Sequence, residues 1–267
     1  MSEPINQQVV LNNRPTGIPQ ATDFDVISSP APKAKAGLVL LRNIYLSVEP
    51  AMRGWVCDVG NYSEPVPVGG VMRSLAVARV EESGVADYKP GDYVVGMFGW
   101  QDYALVEPGQ IDRKVAEEKG IPISAALGVL GINGLAAYFG FLEVGMPKAG
   151  ETVLVSTAAG AVGSCVGQLA KLMGCRVVGI AGGKAKCELC IDEFGYDAAV
   201  DYKASDFAEQ LDTALPDGID IYFDNTSGRI SDTAMTYLNN RARVVICGTA
   251  SIANWNPLPL GPRVERH

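Results

Sequence analysis

A glycine turn between a buried strand and an amphipathic helix is the clearest chemical signal in the sequence. The run Thr152 to Ser156 is typical of a parallel strand covered on both faces, and apolar residues recur at helical spacing from Val162 onward. The turn between them reads Ala158-x-Gly160-x-x-Gly163. Small residues let the backbone approach a phosphate, whose charge is offset by free N–H groups and the helix dipole. The pattern predicts a dinucleotide pyrophosphate site. A purely structural glycine turn is the alternative, because Ala158 replaces the usual first glycine.

The segment that directly follows the second predicted strand contains no Asp or Glu, and this absence bears on which dinucleotide the chain would bind. Arg176 to Ile180 predicts that strand, and Ala181 to Lys186 follows it. An NAD site places Asp or Glu roughly 20 residues beyond the glycine turn, whereas a 2′-phosphate requires a neutral position and a nearby cation. Gly182 and Lys186 meet that requirement, so the sequence favours NADP. The alternative is that Lys184 and Lys186 merely solvate the next helix.

Strands and helices continue to alternate beyond this point. The remaining strands are predicted at 198–202, 219–224 and 243–248, and the helices at 185–194, 207–214 and 230–238. Such alternation predicts a right-handed doubly wound parallel sheet of the Rossmann type, which binds ligands at the carboxyl ends of its strands. Tyr202, Asn225 and the turn Cys247 to Ser251 follow strand ends, so we expect them at the cofactor rim. Each of them alone could equally be an ordinary loop residue.

The first part of the chain has a different character. Gly and Pro interrupt short apolar runs at 37–42, 74–80 and 100–106, and Pro90-Gly91 predicts a turn into another buried strand. These runs predict a curled, mostly antiparallel sheet. The apolar segment 124–142 predicts one helix at the junction. We therefore divide the chain into two domains, 1–127 and an NADP-binding domain, 128–267. A cleft between two domains is a common position for a ligand site.

Short motifs in the same order resemble one family over essentially the whole chain. They include 12–15, 45–54, 90–92, 99–103, 127–131, 134–140, 148–152, 158–163, 218–225 and 258–262. The sequence resembles the zinc-independent branch of the medium-chain dehydrogenase/reductase family, which includes leukotriene B4 12-hydroxydehydrogenase/prostaglandin reductase, plant double-bond reductases and bacterial curcumin reductase. The resemblance implies an α/β fold in which residues 1–127 are a GroES-like substrate and catalytic domain.

The resemblance also implies a reaction and the residues that carry it. Members reduce the carbon–carbon double bond of α,β-unsaturated ketones and aldehydes, with hydride from NADPH to the β-carbon and donors stabilising the enolate. Tyr62 is expected to be the substrate-side hydroxyl, with a plain surface tyrosine as the alternative, and Arg53 could instead be a structural ion-pair partner. The implied cofactor-binding residues are Met52, Arg53, Gly160, Ala161, Val162, Gly163, Gly182, Lys186, Tyr202, Asn225, Cys247, Gly248, Thr249 and Ser251.

Several departures from the family pattern keep a second function open. Ala51 and Ala253 stand where members usually have Tyr, and Asn133 replaces Pro. Members also continue beyond the position of His267 to a sixth strand. We therefore expect a truncated chain, or another cover for the open sheet edge. Relatives commonly pair through the sheet edge that is missing here. A homodimer is doubtful for such a chain. The alternative function is a catalytically weak or inactive NADPH-binding protein.

Composition excludes several classes of protein. A net charge of −8 argues against a nucleic-acid partner, and 267 residues without an 18-residue uncharged apolar run argue against a membrane span. The polar start indicates no secretory signal, and six cysteines in a chain of this size fit a reducing cytoplasm. The single histidine, His267, argues against a metal site. Cys187-x-x-Cys190 leaves a redox or metal pair as a minor alternative.

Overall fold

The computed structural model describes residues 4–58 and 63–251, which divide into two compact units between Leu127 and Gly128. Each unit has its own sheet. The strands of the described residues are β1 (Ile5–Leu11), β2 (Phe24–Pro30), β3 (Val39–Leu46), β4 (Ala76–Ser83), β5 (Tyr93–Gly96), β6 (Tyr103–Val106), β7 (Ile111–Val115), β8 (Thr152–Ser156), β9 (Arg176–Ala181), β10 (Ala198–Asp201), β11 (Ile219–Asp224) and β12 (Leu238–Ile246). The α-helices are α1 (Met52–Trp55), α2 (Ile132–Tyr138), α3 (Ala161–Leu172), α4 (Lys184–Asp192), α5 (Phe207–Ala214) and α6 (Gly228–Ala234). None of these helices is long and apolar enough to cross a membrane.

The first unit contains the predicted antiparallel sheet, in the order β6-β3-β4-β5-β7, and a separate β1–β2 hairpin. Its core is made of alternate residues such as Val39, Leu41 and Val80, which are buried because strand side chains alternate between faces. β3 continues to Leu46 through an exposed half that has no apolar alternation, which is why the prediction stopped short. β6 begins only at Tyr103; before it, the Trp100 carbonyl and the Asp102 N–H bond to Val9 and Gln7 of β1.

The predicted junction helix, 124–142, is wrong as a single element. A 3₁₀ segment (Ile123–Leu127), α2 and a π-helical turn (Phe139–Gly145) replace it. Gly131 is extended, with φ −122° and ψ −155°, so the chain changes direction before α2 begins. A Cβ atom at Gly134 would collide with the carbonyl of Val129, which shows how closely the backbone folds back there. Apolar periodicity did not reveal this break.

The second unit has the predicted parallel sheet, in the order β10-β9-β8-β11-β12. β8 lies at its centre and is buried along its whole length. Val153 and Val155 face one apolar cluster while Leu154 faces another, so both faces of the sheet are covered, as a doubly wound fold requires. Full burial of each such side chain contributes about 1.5–3 kcal/mol.

The last strand begins earlier than predicted, at Leu238 instead of Arg243. Leu238 pairs with Ile219, and the register then shifts before Arg243 pairs with Ile221. Arg241 takes up the shift with φ +66°. The polar residues of this irregular stretch have no strand-like pattern. The preceding helix α6 ends at Ala234, earlier than the predicted 238, and a 3₁₀ turn (Met235–Tyr237) follows it.

Candidate functional site

The glycine turn leads directly from β8 into α3 and brings the backbone close together. A Cβ atom at Gly160 would lie 2.7 Å from Thr157 Cγ2, and one at Gly163 would collide with the Thr157 carbonyl oxygen. Thr157 itself is left-handed, with φ +53°. Gly160 caps α3, whose first-turn N–H groups at Ala161, Val162 and Gly163 lack intrahelical acceptors. The turn therefore presents N–H donors and the positive end of a helix to an anion.

The alanine in place of the first glycine is accommodated by the neighbouring strand. Ala158 is fully buried. A Cβ atom at Gly179 in β9 would lie 2.7 Å from the Ala158 methyl group. The methyl group thus occupies the space that a side chain at Gly179 would need. The departure from the fingerprint is compensated within the sheet and leaves the turn intact.

A cleft of about 280 Å³ lies along the carboxyl ends of the parallel strands. It contains five of the predicted cofactor-binding residues, Gly160, Gly182, Lys186, Tyr202 and Ser251. Its other lining residues are Thr157, Ala159, Ala181, Lys203, Thr226, Ile230 and Ala250. All of these residues belong to the second unit.

One end of the cleft, above β9 and β10, has a neutral floor and cations around it. A Cβ atom at Gly182 would lie 2.8 Å from Cε1 of Tyr202, so only glycine lets the ring lie against this turn. Lys186 is exposed, and within the described ranges no carboxylate pairs with its ammonium group. The Lys203 ammonium lies 5.9 Å from the centroid of the Tyr202 ring. This end can bind an anionic group.

Asp201 lies beside this end, at the close of β10. Its Oδ1 accepts the N–H of Gly183 at 2.8 Å and the N–H of Lys203 at 2.9 Å. These backbone hydrogen bonds lower the pKa of the Asp201 carboxyl group. The sequence contained no acid directly after β9, but the fold brings one to the same turn from the adjacent strand.

The opposite end of the cleft, at β11 and β12, is organised by the buried carboxylate of Asp224, which is 1% exposed. Its Oδ2 accepts the Ser231 hydroxyl at 2.7 Å. Oδ1 accepts the N–H of Thr226 and of Ser227, each at 2.9 Å. Tyr222 Oη, 3.1 Å from Oδ1, adds a further donor. A buried carboxylate requires such donors, because burial without them is costly.

This network fixes the turns that border the cleft. Asn225 donates its N–H to Ser156 Oγ at 2.8 Å and its Nδ2 to the Ser156 carbonyl at 2.7 Å. The N–H groups of Cys247 and Gly248 donate to the Asp224 carbonyl. Ser251 Oγ donates to the carbonyls of Thr226 and Ser227, at 2.8 Å each. The predicted 247–251 turn is thereby held against the end of β11, and Thr249 lies exposed within it.

Known proteins are similar to this chain over nearly its whole length. Residues 7–113 match the family described as N-terminal domain of oxidoreductase, and residues 161–264 match zinc-binding dehydrogenase. The NADPH-dependent curcumin reductase of Escherichia coli is 46% identical over 257 residues, which are 96% of this chain and 74% of that protein.

The chain belongs to the medium-chain dehydrogenase/reductase family.

Other members are similar along the same stretch. The NADP(+)-dependent 2-alkenal reductase of Nicotiana tabacum is 41% identical over 93% of this chain and 74% of that protein. The crystal structure of CurA in complex with NADPH from Vibrio vulnificus matches with a TM-score of 0.90 and 44% identity, over 97% of this chain and 76% of that one. The predicted family and the predicted fold class are confirmed.

The remaining predicted residues of this medium-chain reductase lie in the first unit. Met52 is buried in a cluster with Leu11 and Trp55. Arg53 donates Nε to the Gly17 carbonyl at 2.9 Å and Nη1 to Cys57 Sγ at 2.8 Å. These contacts hold α1 in its unit, and cofactor contact by Met52 and Arg53 stays a prediction. Tyr62 lies outside the described residues, as does Ala253, the position in the second unit where family members usually have Tyr.

The cysteine pair and the metal alternative receive no support as a site. Cys187 and Cys190 lie on α4, and burial, together with the neighbouring Cys187, raises the pKa of the Cys190 thiol to about 11. A thiol with a raised pKa is a poor nucleophile and metal ligand. Among residues 4–58 and 63–251, no group of three His, Cys, Asp or Glu side chains could hold a metal ion.

Sequence reasoning missed four lining residues that matter to this reductase. Thr157 and Thr226 lie just after β8 and β11, and Ile230 lies in α6, which follows β11, so the rule that ligands bind beyond carboxyl ends of strands could have found them. Lys203 directly follows Tyr202, and the prediction named only the tyrosine. Its proximity to Lys186 depends on which strands are neighbours, which no local motif encodes.

Proposed function

We propose that the chain is an NADPH-dependent reductase of carbon–carbon double bonds in α,β-unsaturated ketones and aldehydes. The observation that carries the proposal is the cleft at the carboxyl edge of the sheet, with Gly182 as a neutral floor and Lys186 beside it. Two relatives support it by their names, one an NADPH-dependent curcumin reductase and the other a 2-alkenal reductase.

The order of the strands suggests how a dinucleotide would lie. Lys186 and Tyr202 border the cleft at β9 and β10, Gly160 at the central β8, and Ser251 beyond β11. We propose that these groups bind the 2′-phosphate, the pyrophosphate and the nicotinamide half, respectively. When bound, the cofactor supplies the hydride for the β-carbon of the substrate.

The chain's own groups would do the rest. The N–H donors at the start of α3 offset the charge of the pyrophosphate, and the turn fixed by Asp224 and Asn225 holds the nicotinamide end in place. Tyr62 is proposed to donate a hydrogen bond to the carbonyl oxygen of the substrate and so to stabilise the enolate. Return of a proton to the α-carbon, from Tyr62, a ribose hydroxyl or water, would complete the reaction.

A labelling experiment tests the reaction class. The purified chain is mixed with NADPH deuterated at the transferable position and with a panel of enones, and the products are analysed by NMR. We expect saturated ketones with deuterium at the β-carbon and an intact carbonyl group. Deuterium at the carbonyl carbon would contradict the proposal.

The same mixture separates the proposal from its alternative. If NADPH binds, as measured by calorimetry, but no enone in the panel is reduced, the chain is a binding protein without this activity. The corresponding saturated ketones, which lack the double bond, are the matched controls, and NADPH should not be oxidised in their presence. Tyr62→Phe should lower kcat more than it raises KM, because the hydroxyl is proposed to act on the developing charge.

A further inference from the structure

Two turns of the second unit are joined at the cleft by a single carboxylate oxygen. Asp201 Oδ1 accepts an N–H from Gly183, in the turn between β9 and α4, and another from Lys203, after β10. Lys186 lies in the first turn of α4, which this first segment opens, and Lys203 lies on the second segment. Both residues line the same cleft. The carboxylate therefore sets the spacing between two lysines that are 17 positions apart in the sequence, the difference between 203 and 186.

The charges at this end do not balance with one lysine alone. A phosphate monoester carries a charge of about −1.5 to −2 at neutral pH. The Asp201 carboxylate would cancel the charge of Lys186 for such an anion. Lys184 is engaged elsewhere, since its ammonium lies 3.5 Å from the carboxylate of Glu188. Among the cleft-lining residues, Lys203 is the cation that makes this end positive again.

The position of Lys203 suits this role. Its ammonium lies 5.9 Å from the centroid of the Tyr202 ring, a distance at which a cation is attracted to the ring face. The same ring rests against Gly182, the neutral floor. Lys203 is therefore oriented by its own neighbour and by the backbone hydrogen bond to Asp201, which reduces the entropy lost when it binds an anion.

We propose that Lys203 is a second cation of the site for the cofactor's 2′-phosphate, and that Asp201 is a positioning residue for both lysines. The inference rests on the proposed function, because it concerns the same cleft and the same cofactor. It adds a specificity-determining residue and explains why an acid is tolerated beside an anion site.

The test is calorimetric titration of the whole chain with 2′,5′-ADP and with 5′-AMP, which differ by the 2′-phosphate. Lys203→Ala should lower the affinity for 2′,5′-ADP about fivefold, and Lys186→Ala should lower it about tenfold. The affinity for 5′-AMP should be unchanged in both variants. Lys184→Ala is the matched control, since it removes the same charge from the adjacent helix end outside the cleft lining. It should change neither affinity by more than about twofold. If Lys203→Ala behaves like Lys184→Ala, the inference is wrong.

Two further variants test the role of Asp201. Asp201→Asn keeps an acceptor for the two N–H groups and removes the negative charge, so the preference for 2′,5′-ADP should be kept or increased. Asp201→Ala removes the acceptor, so the preference should fall. Equal behaviour of the two variants would refute the positioning role. Lys203→Arg should retain most of the preference.

Failure of the inference differs from failure of the proposed function. A wild-type chain that binds 2′,5′-ADP and 5′-AMP equally overturns the NADPH assignment and the inference with it. A wild-type preference that Lys186→Ala reduces and Lys203→Ala leaves intact overturns the inference alone.

Discussion

The two ends of the cleft are built in opposite ways. At the β9–β10 end, the groups proposed to select the cofactor are exposed, and Tyr202 is 41% accessible. At the β11–β12 end, the organising group is the Asp224 carboxylate, which is buried among hydroxyl and N–H donors. Exposed charges contribute little to the stability of the fold, whereas removal of a buried carboxylate leaves its buried partners without an acceptor and is strongly destabilising. Substitutions at the β9–β10 end should therefore change the choice of cofactor without changing the stability of the fold. Substitutions at the β11–β12 end should change both the orientation of the cofactor and the stability of the fold.

The largest expected effect is at the buried end. Asp224→Ala leaves several buried donors without an acceptor and should lower the free energy of unfolding by about 3 kcal/mol. Urea denaturation followed by circular dichroism measures it. Asp232→Ala, at an exposed position of the neighbouring helix α6, is the control and should be nearly neutral. A loss below about 1 kcal/mol in Asp224→Ala would remove the distinction between the two ends.

The glycine turn lies between the two ends and should show both kinds of effect. In Gly163→Ala the new methyl group meets the Thr157 carbonyl, so the turn must shift and the free energy of unfolding should fall by about 2 kcal/mol. Binding of NADPH and NADH should weaken equally, because both contain the pyrophosphate. Gly109→Ala, where a Cβ atom meets nothing within 4 Å, is the control. A selective loss of NADPH would be inconsistent with a pyrophosphate turn.

Alkaline pH should act on the buried end. Burial, and to a lesser degree the charge of Asp224, raise the pKa of Tyr222 above its ordinary value. Its neutral form is favoured in the folded state, so this stabilisation is complete below the unfolded pKa of about 10 and is lost as pH rises above it. The free energy of unfolding of the wild type should fall between about pH 10 and pH 11.

Tyr222→Phe isolates that contribution. The variant should be about 1 kcal/mol less stable at neutral pH, because it loses a hydrogen bond to Asp224, and its stability should fall less steeply with alkaline pH. Urea titrations at each pH provide the measurement. Tyr45→Phe, at a position that is 44% exposed in the other unit, should follow the wild-type profile. Parallel profiles for all three proteins would count against the assignment.

The smallest expected effect is at the exposed end. Tyr202→Phe removes a hydroxyl group that borders the proposed phosphate site. The affinity for NADPH should fall about threefold, and the affinity for NADH should not change. The melting temperature should not move, since the side chain is exposed. Tyr138→Phe, at a half-exposed position of α2, serves as the control. A shift in melting temperature without a change in NADPH affinity would reverse the proposed contrast between the ends.

The sequence predicted the second unit well because its signals are local. The β8 strand, the glycine turn and helix α5 lie where periodicity placed them. The junction segment and the start of β12 were predicted wrongly. In both places the backbone responds to a partner distant in sequence, Gly134 folding back on Val129 and Leu238 pairing with Ile219.

The order of residue types along the chain was sufficient to determine a parallel sheet with a glycine turn at its centre, and a neutral Gly182 followed by Lys186. Those features depend on backbone propensity and on which face is buried, and both are encoded locally. The tertiary structure decided that Asp201 and Lys203 join Gly183 at one corner, and that Ser156, Asn225 and Ser251 meet around the end of β11. Hydrogen bonds across strands depend on which strands are neighbours and in what register, and that is settled only when the whole sheet has packed.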